Sequence, residues 1–192
     1  MKSDNHYEAA FDAYLRKHGV AVLPIVEARR SYLDPGEVKS PDFIVVAPRD
    51  ARLVVDVKGR LFPGGTGRKV RSVWQNWCMR EDVESLARWA DRFGPGFRGV
   101  LAFVYDVTLD IVLPEGTPDL FVFRGRLYLL RGVEVGEYRR HMRTRSPRWR
   151  TVHLATDDFR AVVKPISHFL APTPVELVEV TGERPAQPSG RS

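Results

Sequence analysis

The sequence predicts an α/β fold with a mixed central sheet of about five strands flanked by helices. Two stretches, 5–18 and 83–93, carry apolar residues at helical spacing. Short runs rich in branched residues at 42–47, 52–58 and 99–107 have the length and composition of strands. Glycine, proline and aspartate cluster between these segments, where turns belong.

Tyr7, Ala10, Phe11, Tyr14 and Leu15 share one helical face, with Ser3 or Asp4 as the cap and Gly19 as the stop. Val20 to Val26 is an apolar strand that Pro24 assigns to a sheet edge. A turn at Asp34-Pro35-Gly36 precedes two strands, 42–47 and 52–58, joined by Pro48-Arg49-Asp50 as a hairpin. A loop at 63–67 follows, and 70–78 fits either strand or helix. Val83, Leu86, Ala87, Ala90 and Phe93 form one face of a second helix that Gly94-Pro95-Gly96 ends. Residues 99–107 read as a buried strand, and 120–123 with 126–130 as a hairpin turning at Arg124-Gly125, so the sheet has five or six strands. Short helices are expected at 133–142 and 157–163. From residue 171 onward four prolines and a polar ending predict a loose tail, 171–192, after one domain over 1–170.

The 192 residues are enough for one core, and no apolar run approaches the roughly 20 residues that span a bilayer. No secretory leader is visible, and the single cysteine, Cys78, forms neither an intramolecular disulfide nor a cysteine zinc cluster; a buried thiol in the cytoplasm is the expectation. The scattered histidines lack metal-ligand spacing. The net charge of +6 favours a polyanionic partner, and the window Arg131–Arg150, with seven arginines against two glutamates, supplies +5 of it. A homodimer is compatible with the sequence.

Residues two apart on a strand share a face, so Asp56 and Lys58 project together while Val57 faces the core. Asp42 opens the neighbouring strand and can approach Asp56 across the hairpin. Two aspartates brought together repel, and a hard divalent cation such as Mg²⁺ or Mn²⁺ removes that penalty. With Lys58 beside such an ion, the set suits phosphodiester hydrolysis.

Pro41-Asp42, followed fourteen residues later by Asp56-Val57-Lys58, resembles the signature of the PD-(D/E)XK nuclease superfamily. The resemblance covers residues 4–107 and implies a restriction-endonuclease-like core in αβββαβ order, with residues 108–170 as an arginine-rich C-terminal extension. It implies that Asp42, Asp56 and the Val57 carbonyl hold the metal, and that Glu8 on the first helix binds it directly or through water. Lys58 would be catalytic and DNA, more than RNA, the substrate. The alternatives remain a non-catalytic nucleic-acid-binding module with a degenerate nuclease fold, in which the arginine cluster provides affinity and the acids are vestigial; an exposed edge-strand ion pair of Asp56 and Lys58, with Asp42 capping a turn; and a scaffold for a larger complex.

Two basic segments are candidates for nucleic-acid contact. Arg139, Arg140, Arg143, Arg145, Arg148 and Arg150 surround Trp149 and suit phosphate contact with base stacking, or else pair with acids such as Asp157 and Asp158. Arg68 and Lys69 follow a glycine-rich stretch that lacks the ending of a nucleotide-binding loop but could grip a nucleic-acid backbone. Trp74, Trp77 and Trp89 are expected to pack in the core.

Overall fold

The computed structural model describes residues 5–25, 31–32, 37–62, 74–108 and 111–171. In chain order they form α1 (His6–Lys17), β1 (Ala21–Pro24), β2 (Ser31–Tyr32), β3 (Glu37–Val38), β4 (Phe43–Val46), a 3₁₀ turn (Pro48–Asp50), β5 (Arg52–Phe62), β6 (Cys78–Met79), α2 (Arg80–Phe93), β7 (Phe97–Val107), β8 (Leu120–Phe123), β9 (Arg126–Glu134), α3 (Val135–His141), β10 (Arg143–Ser146), β11 (Thr151–His153), α4 (Thr156–Val162), β12 (Lys164–Pro165) and α5 (Ile166–Leu170). The expected turn at 34–36, the loop at 63–67 and the tail from 172 onward lie outside the described residues.

The main sheet runs β1-β4-β5-β7-β9-β12, with β8 also on β9. Its first three strands are an antiparallel meander. A parallel pair needs a crossover, and α2 carries the chain from β5 to its parallel neighbour β7. The order α1, β1, β4, β5, α2, β7 is αβββαβ, and the core is restriction-endonuclease-like, as the motif implies. The sheet has seven strands among the described residues, more than the five or six expected, because β12 is a two-residue strand too short to show a period. Prolines sit in β1 and β12, the two ends of the strand order, where a missing N–H costs no ladder bond.

Two cores hold the layers together. On one face of the sheet α1 buries Ala10, Phe11, Tyr14 and Leu15 against Phe43, Val45, Val55 and Val57. On the other, Val83 and Leu86 of α2 meet Val54, Leu101, Phe103 and Tyr105. β5 is therefore buried on both sides from Leu53 to Val57, which is why it reads as a continuous apolar run interrupted only by Asp56. The cap of α1 is Asn5, one residue beyond the expected pair; its side chain accepts the Tyr7 N–H at 3.3 Å.

The expected hairpin at Arg124-Gly125 forms, with both residues at positive φ. The arginine-rich region differs from expectation. Only Val135–His141 is helical there, and β10 and β11 form a small antiparallel sheet with β6. β10 is largely exposed, and its sequence Arg-Thr-Arg-Ser has no apolar face to announce a strand. Among the described residues no helix is long and apolar enough to cross a membrane.

Candidate active site

The β4–β5 register brings the two aspartates together. Phe43 pairs with Val55 as the last pair of the ladder, and beyond it Asp42 leaves the strand with its N–H still donating to the Val55 carbonyl at 3.0 Å, one residue before Asp56. The Asp42 side chain turns onto β5, where its Oδ2 accepts the Val57 N–H at 2.6 Å. Lys58 lies on the Asp56 side of the strand, with its Nζ 2.5 Å from Asp56 Oδ2. The structure thus brings Asp42, Asp56 and Lys58 to one place at the end of the hairpin.

Two residues at the site were not singled out from the sequence. Asp82, in the first turn of α2, accepts Lys58 Nζ at 2.7 Å on one oxygen and Lys39 Nζ at 2.9 Å on the other. Lys39 also reaches Asp56 Oδ1 at 3.5 Å. Asp56, Lys58, Asp82 and Lys39 consequently close a ring of alternating charge with no net charge. α2 holds this ring through residues spaced three and four apart: Asp82 binds both lysines, Ser85 Oγ accepts the Lys39 N–H at 3.1 Å, and Trp89 Nε1 donates to the Lys39 carbonyl at 3.0 Å. Asp82 additionally accepts the Met79 N–H at 2.9 Å, capping the helix.

The acids differ in electrostatic state. Burial pushes the Asp42 carboxyl up to about 7, and the charges of Asp56 and Glu8 add to it against the Val57 N–H and Lys58. Burial also raises Asp56, while Lys58 opposes the shift. For Asp82, burial acts upward but Lys58 and Lys39 outweigh it and hold the carboxyl below its ordinary range. Both ammonium groups are raised: burial alone would depress them, and Asp56 and Asp82 prevail.

Glu8 arrives from the other face of the sheet. A Cβ on Gly59 would stand 2.1 Å from the Tyr7 ring, so the bare backbone of Gly59 lets the first turn of α1 close onto β5. Glu8 accepts from the Asn5 side-chain amide, and its charge is felt at Asp42. Among the described residues, however, no three His, Cys, Asp or Glu side chains converge in a geometry that would hold a metal.

The residues present nonetheless fit a hard divalent cation. Asp42 is only 7 % exposed and is burdened by two neighbouring acids. Asp56 Oδ2 is buried without an aligned hydrogen bond, its close contact being the Lys58 ammonium. Mg²⁺ binds through one or two carboxylates, completing its shell with water and substrate phosphate, so it needs no preformed three-acid cage.

The expected nucleic-acid contacts are divided. Arg140 pairs with Glu137 at 2.5 Å and Arg143 with Asp158 at 3.0 Å, while Arg139 and Arg150 are exposed. Arg145 lies over Trp77 and Arg148 over Trp149. Arg68 and Lys69 lie outside the described residues. Trp74 packs against Phe62 and Tyr105 as expected, and burial pushes the Cys78 thiol up to about 12, as befits an inert core cysteine.

No protein-family model matches the chain, and no curated protein matches it. Among solved structures, a Holliday junction resolvase from the archaeal hyperthermophile Archaeoglobus fulgidus is similar at 16% identity and a TM-score of 0.49, over 86% of this chain and 98% of that one. At that distance the likeness says nothing of activity, and the fold is defined by this chain's own strand order and crossover.

Proposed function

We propose that this protein is a divalent-metal-dependent nuclease that hydrolyses phosphodiester bonds in DNA. The observation that carries the reading is the pair of buried acids Asp42 and Asp56, the first bound to the Val57 N–H beside the second, with Lys58 on the second of them. A buried pair of acids is costly unless something cationic answers it, and here one of the two lacks an ammonium partner within ion-pair distance among the described residues.

In this reading Asp42, Asp56 and the Val57 carbonyl hold Mg²⁺ or Mn²⁺, and Glu8 contributes directly or through water. When bound, the ion supplies positive charge to the phosphodiester and acidifies water. Lys58 orients the attacking water and offsets the charge that develops on the phosphorus-bound oxygens. Asp82 and Lys39 act through Lys58: they fix its ammonium and keep the local charge balanced before substrate arrives. The arginines of α3, β10 and the following turn raise the affinity for the polyanion.

The test is cleavage of single- and double-stranded DNA with Mg²⁺ or Mn²⁺ and with EDTA, by the wild type, Asp56→Asn and Lys58→Ala, each checked for folding by circular dichroism. Each substitution is expected to lower the rate at least about 100-fold. Unchanged cleavage in both refutes the site. The binding-module reading draws support from the two lysines that already neutralise Asp56. Salt-sensitive DNA binding with no cleavage and no calorimetric metal binding would favour it.

A further inference from the structure

Arg60 follows Lys58 by two residues on β5, so both project from one face of the strand, about 6.6 Å apart along it. Its guanidinium carbon lies 3.9 Å from the centre of the Trp77 ring, and its nitrogens donate to the carbonyls of Gly59, at 2.6 Å, and of Trp77. Arg145, from β10, sets a second guanidinium 4.8 Å from the centre of the same ring. Trp77 is thus no plain core residue: one indole gathers two cations.

Among the described residues neither arginine meets a carboxylate, and Arg60 Nε is buried with no hydrogen-bond partner. Burial depresses the Arg60 guanidinium, and Arg145 pushes it the same way. Like charges gathered without a counter-ion are costly, and an anion bound at the exposed Arg145 relieves the cost for both.

Arg145, unlike Arg60, borders open space on both sides of the Trp77 ring. Trp77 and Arg145 form a wall shared by two hollows of about 510 and 440 Å³, within the usual range for small-ligand sites. No aspartate or glutamate lines either one, whereas the 880 Å³ cleft that also borders Met79 mixes Glu37, Glu81 and Glu84 with Arg80, Arg88 and Arg150. Trp149, 64% exposed, borders the larger of the two acid-free hollows. Met79 ties that hollow to the ring of charges: its side chain lines the hollow while its N–H bonds Asp82, the partner of Lys58.

We propose that these residues form a strand-binding groove, in which Arg145 grips a backbone phosphate, Arg60 adds positive charge at the shared Trp77 ring and Trp149 stacks an unpaired base. The preferred substrate is then nucleic acid that is single-stranded at the cut, because the faces of paired bases are already covered by their neighbours. What is cut rests on the nuclease reading; what is bound does not.

Binding is measured by fluorescence anisotropy in EDTA, with the full chain and a fluorescein-labelled oligodeoxythymidylate or a duplex of equal length. Arg145→Gln and Trp149→Ala both alter exposed side chains, so neither threatens folding. Each is expected to weaken single-strand binding at least about fivefold and duplex binding less than about twofold. Arg145→Gln should also lower the salt slope on the single strand by about 0.7. Equal weakening on both substrates, or none on either, overturns the groove. Metal-dependent cleavage alongside unaltered binding in both variants overturns the groove alone. The expected binding losses with no cleavage in any metal leave the groove standing and overturn the nuclease reading.

Discussion

Asp42 and Asp82 are acids of nearly equal burial on either side of Asp56, and they stand in opposite electrostatic states. Asp82 meets two ammonium groups and a backbone N–H, so charge is its favoured form. Asp42 has one backbone N–H and faces two other acids, so burial and repulsion hold its carboxyl near 7. The same residue type within one site therefore serves two ends. Asp82 carries its charge against two ammonium groups of the fold, whereas Asp42 has none within ion-pair distance among the described residues, which is what the nuclease reading builds on.

The strongest way to break that contrast is Asp82→Ala. The change takes one carboxylate from each of Lys58 and Lys39 and removes the acceptor of the Met79 N–H. Breaking a buried pair from one side typically costs 3–5 kcal/mol; Lys39 is 26% exposed, so the lower end, about 3 kcal/mol, is expected in urea denaturation. A loss below about 1 kcal/mol would mean that the ring contributes nothing beyond an ordinary surface pair.

Gly59→Ala comes next and separates α1 from the site. The new Cβ collides with the Tyr7 ring, and both neighbours are fixed, one by the strand ladder and the other by the helix. Overpacking of this kind costs about 1–3 kcal/mol. Asp42 should at the same time lose the influence of Glu8. Adding Tyr7→Ala makes room for the methyl group, so the double variant should be less destabilised than the sum of the two single changes. Strict additivity would show that the two positions do not touch.

The core of the site was legible because strand geometry is local. Asp56 and Lys58 are two apart, and a short hairpin fixes Asp42 against them, so periodicity alone places three side chains. Lys39 and Asp82 escaped because their contact spans 43 residues and depends on how α2 docks. Asp82 reads as an ordinary acid at a helix start, which it also is. A signal did exist in the polar stripe of Asp82, Ser85 and Trp89 beside the apolar Val83 and Leu86, since a helix edge bearing those types at spacing three and four has something to hold. β10, β11 and β12 were not legible: they are short, and the outer strand of the small sheet, β10, is polar on both faces.

Asp42→Asn sharpens the comparison at smaller scale. The raised carboxyl means that the native state holds the proton more firmly than the unfolded chain, whose value is 3.8. The stability this confers is complete below 3.8 and is lost as pH rises through about 7. Asparagine keeps an acceptor for the Val57 N–H and carries no charge, so in EDTA the variant should exceed the wild type by at least about 1 kcal/mol at pH 8 and match it near pH 4. Millimolar Mg²⁺ should raise the melting temperature of the wild type but not of the variant. A variant less stable than the wild type at pH 8 would show that Asp42 is already satisfied within the fold.

The smallest effect is expected where the charges are wet. Arg143 and Asp158 meet at 3.0 Å with side chains 65% and 30% exposed, so Asp158→Asn should change stability by less than about 0.5 kcal/mol, and by less still in high salt. Its consequence lies in binding. Releasing Arg143 from its acid frees one more cation for phosphate, so DNA affinity at low salt should rise, by no more than about threefold, and its salt dependence should steepen. If affinity instead falls, Asp158 is holding Arg143 in the orientation that phosphate requires, and this exposed pair then belongs, like the buried ring, to the acids that position a cation.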